Sequence, residues 1–251
     1  MSLHAEYTNK LSIIEQFGEY TNGKDYINHI HLSETKAEHE SCKEKYGKTP
    51  ARLFYDAKVF NSPTILAHCV WVEDEDMDIF KEMGVTVAHC PASNMKLGSG
   101  FCNTYKLLQK GVNIGIGTDS AASNNGLDIM REMYLAALLP KGVNNQADIV
   151  TPQDVYKMAT VNGAKALGLN DALYIEEGAK ADLMLIDLLK PNMQPINNFG
   201  CIFFIKGQLK QKIIFTINTK FFKIIIGKNN IRKINFKIIN SCSYSSLTCN
   251  T

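Results

Sequence analysis

Acidic residues are missing from the last quarter of this 251-residue chain, since all 25 Asp and Glu lie at or before Asp187. Ten of the 27 Lys and Arg fall in that same stretch, 188–251. The first 187 residues therefore carry a formal charge of −8 and the remainder +10, so the overall +2 conceals two kinds of sequence. The seven cysteines (42, 69, 90, 102, 201, 242 and 249) show no paired spacing. That argues against both a disulfide framework and a C-x-x-C zinc site, and fits reduced thiols. Long apolar runs are also lacking, and none approaches the roughly 20 residues that span a bilayer. The opening Met-Ser-Leu-His-Ala-Glu-Tyr has no basic segment followed by an apolar one, so no secretion signal is visible. A cytoplasmic protein without membrane contacts is expected. At 45% hydrophobic and 21% charged residues, a globular core is within reach.

What the first 190 residues do contain is alternation of short apolar runs with helical patterns, the signature of β/α units around a parallel sheet. The expected strands are Tyr26–Leu32, Thr64–Val70, Val85–His89 and Asn113–Thr118. Expected helices run over Lys10–Tyr20, Lys36–Tyr46, Pro50–Val59, Asp74–Met83, Thr104–Lys110 and Leu127–Leu139, and another starts at Thr151 with Pro152 in its first position. Polar residues gather where the strands end: His31, His68 and His89, with Asp119 after the fourth. In a β/α barrel the chemistry collects at that face, because the loops that follow the strands open there.

His31, Glu34, His68 and Asp119 combine imidazole and carboxylate, donors that suit a borderline ion such as Zn²⁺. Each residue taken singly has a plainer role. A histidine at a strand end is commonly a buried, hydrogen-bonded structural residue. Glu34 would sit well at a helix N-terminus, and Asp119 could cap the segment after it. The glycines of Gly-Ile-Gly-Thr-Asp match no phosphate-loop spacing. The order of the four residues, together with their strand-end placement, favours the metal reading.

"HLSET" (31–35), "LAHCVWV" (66–72), "AHCPASNMKLGSG" (88–100) and "GTDSAASNN" (117–125) resemble the metal-dependent amidohydrolase superfamily. The resemblance runs from about residue 2 to residue 198. It is greatest to the branch of 5-methylthioadenosine/S-adenosylhomocysteine deaminases and s-triazine chlorohydrolases. It implies an α/β fold, part of a (β/α)8 barrel holding strands five to eight and their helices. "EEGAKADLMLID" (176–187) is similar to the start of that family's small β-sandwich. The domains expected are 1–175 for the half barrel, 176–199 for the start of the sandwich, and 200–251 for an Ile/Lys/Asn/Phe tail.

By the same resemblance His31 is a metal ligand and Glu34 the acid that protonates the ring nitrogen beside the attacked carbon. His68 holds the attacking hydroxide, and Asp119 both ligates the metal and takes a proton from the water. Glu34, His4 and Ser123 would contact substrate, although His4 could equally be an exposed terminal residue. One Zn²⁺ per site, or another divalent transition ion such as Fe²⁺, is implied. The substrate would be a purine nucleoside, methylthioadenosine or S-adenosylhomocysteine, deaminated hydrolytically. Neither nucleic acid nor membrane is expected as a partner, and association into a homo-oligomer stays open.

"HIH" (29–31) mimics the H-x-H metal pair that such enzymes carry on strand one, but too few strands follow it. His29 is therefore read as an inward barrel-filling residue, and His89 and Asn94 as lining the site or fixing its loops. Without strands one to four and the strand-one ligands, the sequence reads as an N-terminally truncated piece that retains two ligands, His31 and Asp119. Such a piece should bind Zn²⁺ poorly and turn over little substrate. Three readings remain: the deaminase; a hydrolase of guanine, cytosine or a chloro-s-triazine; and an inactive product or basic-tailed binding protein. Residues 200–251 show no sustained helical or strand period, and an out-of-frame origin is the simpler account of them.

Overall fold

The computed structural model describes residues 1–180, 182–187 and 223–227. Strands β1 (Asn28–Leu32), β2 (Thr64–His68), β3 (Thr86–His89) and β4 (Asn113–Ile116) form one parallel sheet in the order β1-β2-β3-β4. Parallel neighbours need a crossover between them, and helices supply it. Helix α1 (Leu11–Thr21) precedes the sheet. The crossovers are α2 (Lys36–Tyr46) and α3 (Pro50–Asp56) from β1 to β2, α4 (Asp74–Met83) from β2 to β3, and α5 (Pro91–Lys96) and α6 (Thr104–Gln109) from β3 to β4. Then follow α7 (Ala121–Asn124), α8 (Ile129–Asn144), α9 (Pro152–Ala159) and α10 (Val161–Ala166). Among the described residues no helix is long and apolar enough to cross a membrane.

Local signals explain the boundaries. At the start of α2 the Thr35 side chain accepts the Glu38 N–H, and the Glu38 carboxylate accepts the Thr35 N–H in return. Gly47, in the left-handed region, ends that helix. Helix α4 opens on Asp74, Glu75 and Asp76, which favour the positive end of its dipole. Thr151 caps α9 ahead of Pro152.

The core lies between the sheet and its helices. Ile30, Leu66, Val87 and Ile114 are register partners across all four strands, and each is fully buried. Phe54, Phe60 and Phe80 interlock behind them with ring centroids 6.4 Å apart. Helix α1 approaches so closely that a Cβ at Gly18 would lie 1.7 Å from the Ala57 carbonyl oxygen. Only glycine fits there.

Residues 1–4 run along the free side of β1. The His29 N–H donates to the Met1 carbonyl at 3.0 Å, and the His31 N–H to the His4 carbonyl at 2.9 Å. A second small sheet pairs β5 (Leu183–Asp187) with β6 (Lys223–Gly227) in parallel. Residues 223–227 thus form a strand within a stretch to which the sequence assigned no fold; the rest of the tail lies outside the described residues.

The four expected strands are present with trimmed ends, and the long helices are present, with α8 running on to Asn144 beyond the expected Leu139. Strand β2 stops at His68 rather than Val70, because His68 and Cys69 leave the extended region at φ 73° and 48°. The expected Pro50–Val59 helix breaks after Asp56, and Lys58 takes a left-handed φ of 62°. Helices α5, α7 and α10 were not anticipated. Each is six residues or shorter, too brief to display an apolar period.

Candidate active site

Strict alternation would place His68 on the face of its register partner Leu32, opposite His31. The left-handed backbone at His68 cancels that alternation. Its ring instead stacks on His31 with centroids 5.4 Å apart, and the residue is 1% exposed. Ser33 and Asp119 also have positive φ, at 47° and 58°. Three of the four strands are therefore followed by backbone in a sparsely populated region, where the surrounding contacts must hold it.

His31 is oriented by the N-terminal segment. Its Nδ1–H donates to the His4 carbonyl at 3.0 Å. A carbonyl only accepts, so the proton is on Nδ1 and the Nε2 lone pair is free. A ligand histidine is commonly fixed in just this way, through its second nitrogen. The His4 ring lies 4.7 Å from that of His31, and Tyr7 meets His4 edge-on at 5.8 Å.

Glu34 follows in the turn after β1. The Glu38 carboxylate fixes its backbone by accepting N–H groups from Ser33 (3.0 Å), Glu34 (2.9 Å) and Thr35 (3.3 Å). The Glu34 carboxylate takes the Ser99 hydroxyl at 3.1 Å and lies 3.7 Å from His68 Nε2. Ser99 is held in turn, because the Trp71 Nε1–H donates to its carbonyl at 2.7 Å. Gly100, at φ 124°, has no room for a side chain: a Cβ would meet Val70 at 2.9 Å and the Trp71 ring at 3.3 Å. Trp71 thus packs against Gly100 and holds the Ser99 carbonyl.

His68 Nδ1–H donates to Asn94 Oδ1 at 2.8 Å, which turns Nε2 towards Glu34. One residue before Asn94, the Ser93 hydroxyl donates to Asp119 Oδ2 at 2.6 Å. The Ser120 N–H donates to Asp119 Oδ1, also at 2.6 Å. Burial pushes the Asp119 carboxyl up, but these two hydrogen bonds and the nearby His68 outweigh it and hold the group below its usual value. Ser123 sits in α7 with its hydroxyl 3.0 Å from that of the capping Ser120.

His89 does not join this network. It is 1% exposed, and neither ring nitrogen has a hydrogen-bond partner among the described residues. Burial, helped by His68, lowers its pKa to about 3 and keeps it neutral. His29, expected to face inward, shares the His31 face, with rings 6.3 Å apart, and is exposed among the described residues. Sequence reading missed Ser93 and Ser99, short hydroxyl residues whose role depends on spatial contact. It also missed Glu38, although its place three residues after Thr35 is a capping-box signal.

The donor chemistry suits a divalent ion, with a free imidazole nitrogen on His31 and an ionised Asp119. Yet among the described residues no three His, Cys, Asp or Glu side chains group as the ligands of one ion. The described residues alone do not complete a metal site.

Polar side chains gathered at the carboxyl ends of four parallel strands, with helices behind, make this an α/β protein of the kind whose chemistry sits in the loops after the strands. More particularly, this chain belongs to the amidohydrolase family, whose pattern matches residues 1–225. It is 46% identical over 195 residues to a 5-methylthioadenosine/S-adenosylhomocysteine deaminase of Pyrococcus abyssi, covering 78% of this chain and 46% of that protein. A deaminase of the same name from Thermococcus onnurineus is 47% identical over the same length, with the same coverage. The chain thus spans about half the length of the curated relatives it matches. Among solved structures, a zinc-bound adenosine deaminase of Xanthomonas campestris superposes with a TM-score of 0.78 at 34% identity, covering 82% of this chain and 47% of that one. A zinc complex of atrazine chlorohydrolase from Arthrobacter aurescens gives 0.72 at 26% identity, covering 81% and 45%.

Proposed function

We propose that this chain carries the C-terminal half of the active site of a hydrolytic deaminase acting on an adenine-type nucleoside, with methylthioadenosine and S-adenosylhomocysteine as the leading substrates. The reaction breaks a non-peptide carbon–nitrogen bond and releases ammonia. Strands β1 to β4 correspond to barrel strands five to eight within residues 1–175. Of the segment 176–199 expected to begin a β-sandwich, β5 (Leu183–Asp187) would be its first strand, and most of 188–251 lies outside the described residues.

The observation that carries this reading is the convergence of Glu34, His68 and His31 at the strand ends, with Asp119 linked to His68 through Ser93 and Asn94. Glu34 would hand a proton to a ring nitrogen, and the Ser99 hydroxyl that donates to its carboxylate supports that role. Asp119, held ionised, can accept a proton from water. His68 offers Nε2 at the same place, and the contacts for the nucleoside would be His4, beside the His31 ring, and Ser123, beside Ser120. His31 and Asp119 are the residues that would hold a divalent ion, zinc above all, which in this family supplies an activated water; the described residues leave that ligand set incomplete. The 46–47% identity to nucleoside deaminases, against 26% to the chlorohydrolase, favours the purine substrate.

Product release is the test: ammonia from methylthioadenosine, S-adenosylhomocysteine, guanine and cytosine, and chloride from a chloro-s-triazine, each offered separately in the presence of Zn²⁺. Low turnover of the two adenine compounds alone is expected, falling by roughly 10²–10⁴-fold in Glu34→Gln. Preferential turnover of guanine, cytosine or the triazine, or ammonia release indifferent to Glu34, would overturn the proposal.

A further inference from the structure

Glu132 belongs to α8, away from the strand ends, and is fully buried. A carboxylate so enclosed is costly unless its oxygens are hydrogen-bonded, and both are. Oε2 accepts the Ala92 N–H at 3.0 Å, and Oε1 accepts the Asn124 Nδ2–H at 2.9 Å. The Asn124 amide nitrogen also donates to the Thr118 carbonyl at 2.7 Å. These three contacts tie together two segments far apart in sequence.

The segments are the ones that matter. Ala92 precedes Ser93, which donates to Asp119, and Asn94, which accepts from His68. Thr118 precedes Asp119, whose positive φ of 58° needs support from its surroundings. Glu132, acting through Asn124, thus fixes the start of α5 against the loop between β4 and α7. From that alignment follow the direction of the Asp119 carboxylate and the orientation of the His68 ring.

We propose that Glu132 is a positioning residue, a brace that sets the His68 ring and the Asp119 carboxylate by locking the start of α5 to the β4–α7 loop. Its functional meaning rests on the deaminase reading, but the brace itself can be tested without turnover. The other ionisable groups near it are Arg131, Asp128 and Cys90, the last a buried thiol pushed up to about 12. They lie outside its hydrogen bonds.

The experiment uses the full chain labelled with ¹⁵N-histidine. The His68 ring nitrogens are read by NMR in the parent chain, in Glu132→Ala, in Glu132→Gln and in Met133→Ala. Met133 is the next residue of α8 and 2% exposed, so its loss loosens the core without touching the brace. In the parent chain Nδ1 of His68 should carry the proton. Glu132→Ala should move that signal towards a mixed tautomer. Glu132→Gln, whose amide oxygen can accept one of the two donors, should shift it less. Met133→Ala should leave it in place despite a lowered melting temperature. Unchanged His68 signals in Glu132→Ala, or an equal shift in Met133→Ala, would overturn the proposal. If Glu132→Ala does not fold, Glu132→Gln decides: no shift relative to the parent chain overturns it, and a shift absent from Met133→Ala supports it. Failure of the ammonia assay would leave this result standing, so the two readings can fail separately.

Discussion

His68 reaches His31 only because its backbone turns left-handed at the end of β2. A sequence pattern reports which residues alternate, and a residue that breaks alternation is invisible to it. The candidate ligands could be read because they follow known motifs; the contact between His31 and His68 could not, because it depends on one φ angle. Glu6 teaches a related lesson. It is 2% exposed, and neither carboxylate oxygen has a hydrogen-bond partner among the described residues. Burial, then the charge of Glu38, pushes its carboxyl up to about 8 from an ordinary 4.5. Tyr7, Cys42 and Glu34 are the other titratable groups in the neighbourhood. An acid with a raised folded-state pKa keeps a proton that the unfolded chain has already lost. Stability should therefore decline as pH climbs from about 4.5 to about 8 and level off beyond. In Glu6→Gln that decline should flatten, by on the order of 1–3 kcal/mol at the alkaline end. Denaturant melts at pH 5 and pH 8.5 check this, and parallel pH profiles for the two proteins would refute it.

Elements with strong local chemistry were legible. Helices α2 and α4 match their expected limits because a capping box, acidic first turns and closing glycines mark both ends. The short helices α5 and α7 carry no such period, yet α5 positions Ser93 and Asn94. Packing between elements is where single residues become decisive. In α1, Gly18 faces the Ala57 carbonyl at a distance that a methyl group cannot share. Gly18→Ala should destabilise the fold by about 2–3 kcal/mol through forced displacement of α1, outweighing the gain of up to about 1 kcal/mol in helix propensity. Thermal unfolding measures the balance, and an unchanged or raised midpoint would show that α1 can shift freely.

For the whole molecule, the order of four parallel strands followed from their sequence order and the helical crossovers between them. The pairing of β5 with Lys223–Gly227 did not, because no period announces a strand in that basic stretch. Metal binding also belongs to this scale, since ligands must come from several strands at once. With His31 and Asp119 as the ligands proposed here, the purified chain should retain well under one Zn²⁺ per molecule after dialysis. Elemental analysis finding about one tightly held ion would show that further ligands are supplied.

The pairing of residues 1–4 with β1 reaches beyond orienting His31. A parallel sheet ends in a row of backbone amides and carbonyls that will bind any extended peptide offered to them. On the outer flank of β1, the first few residues of the chain already occupy part of that row. A stray strand from another copy would have to peel them away first, so the segment that steadies a ring also discourages these molecules from stacking into fibres through that flank.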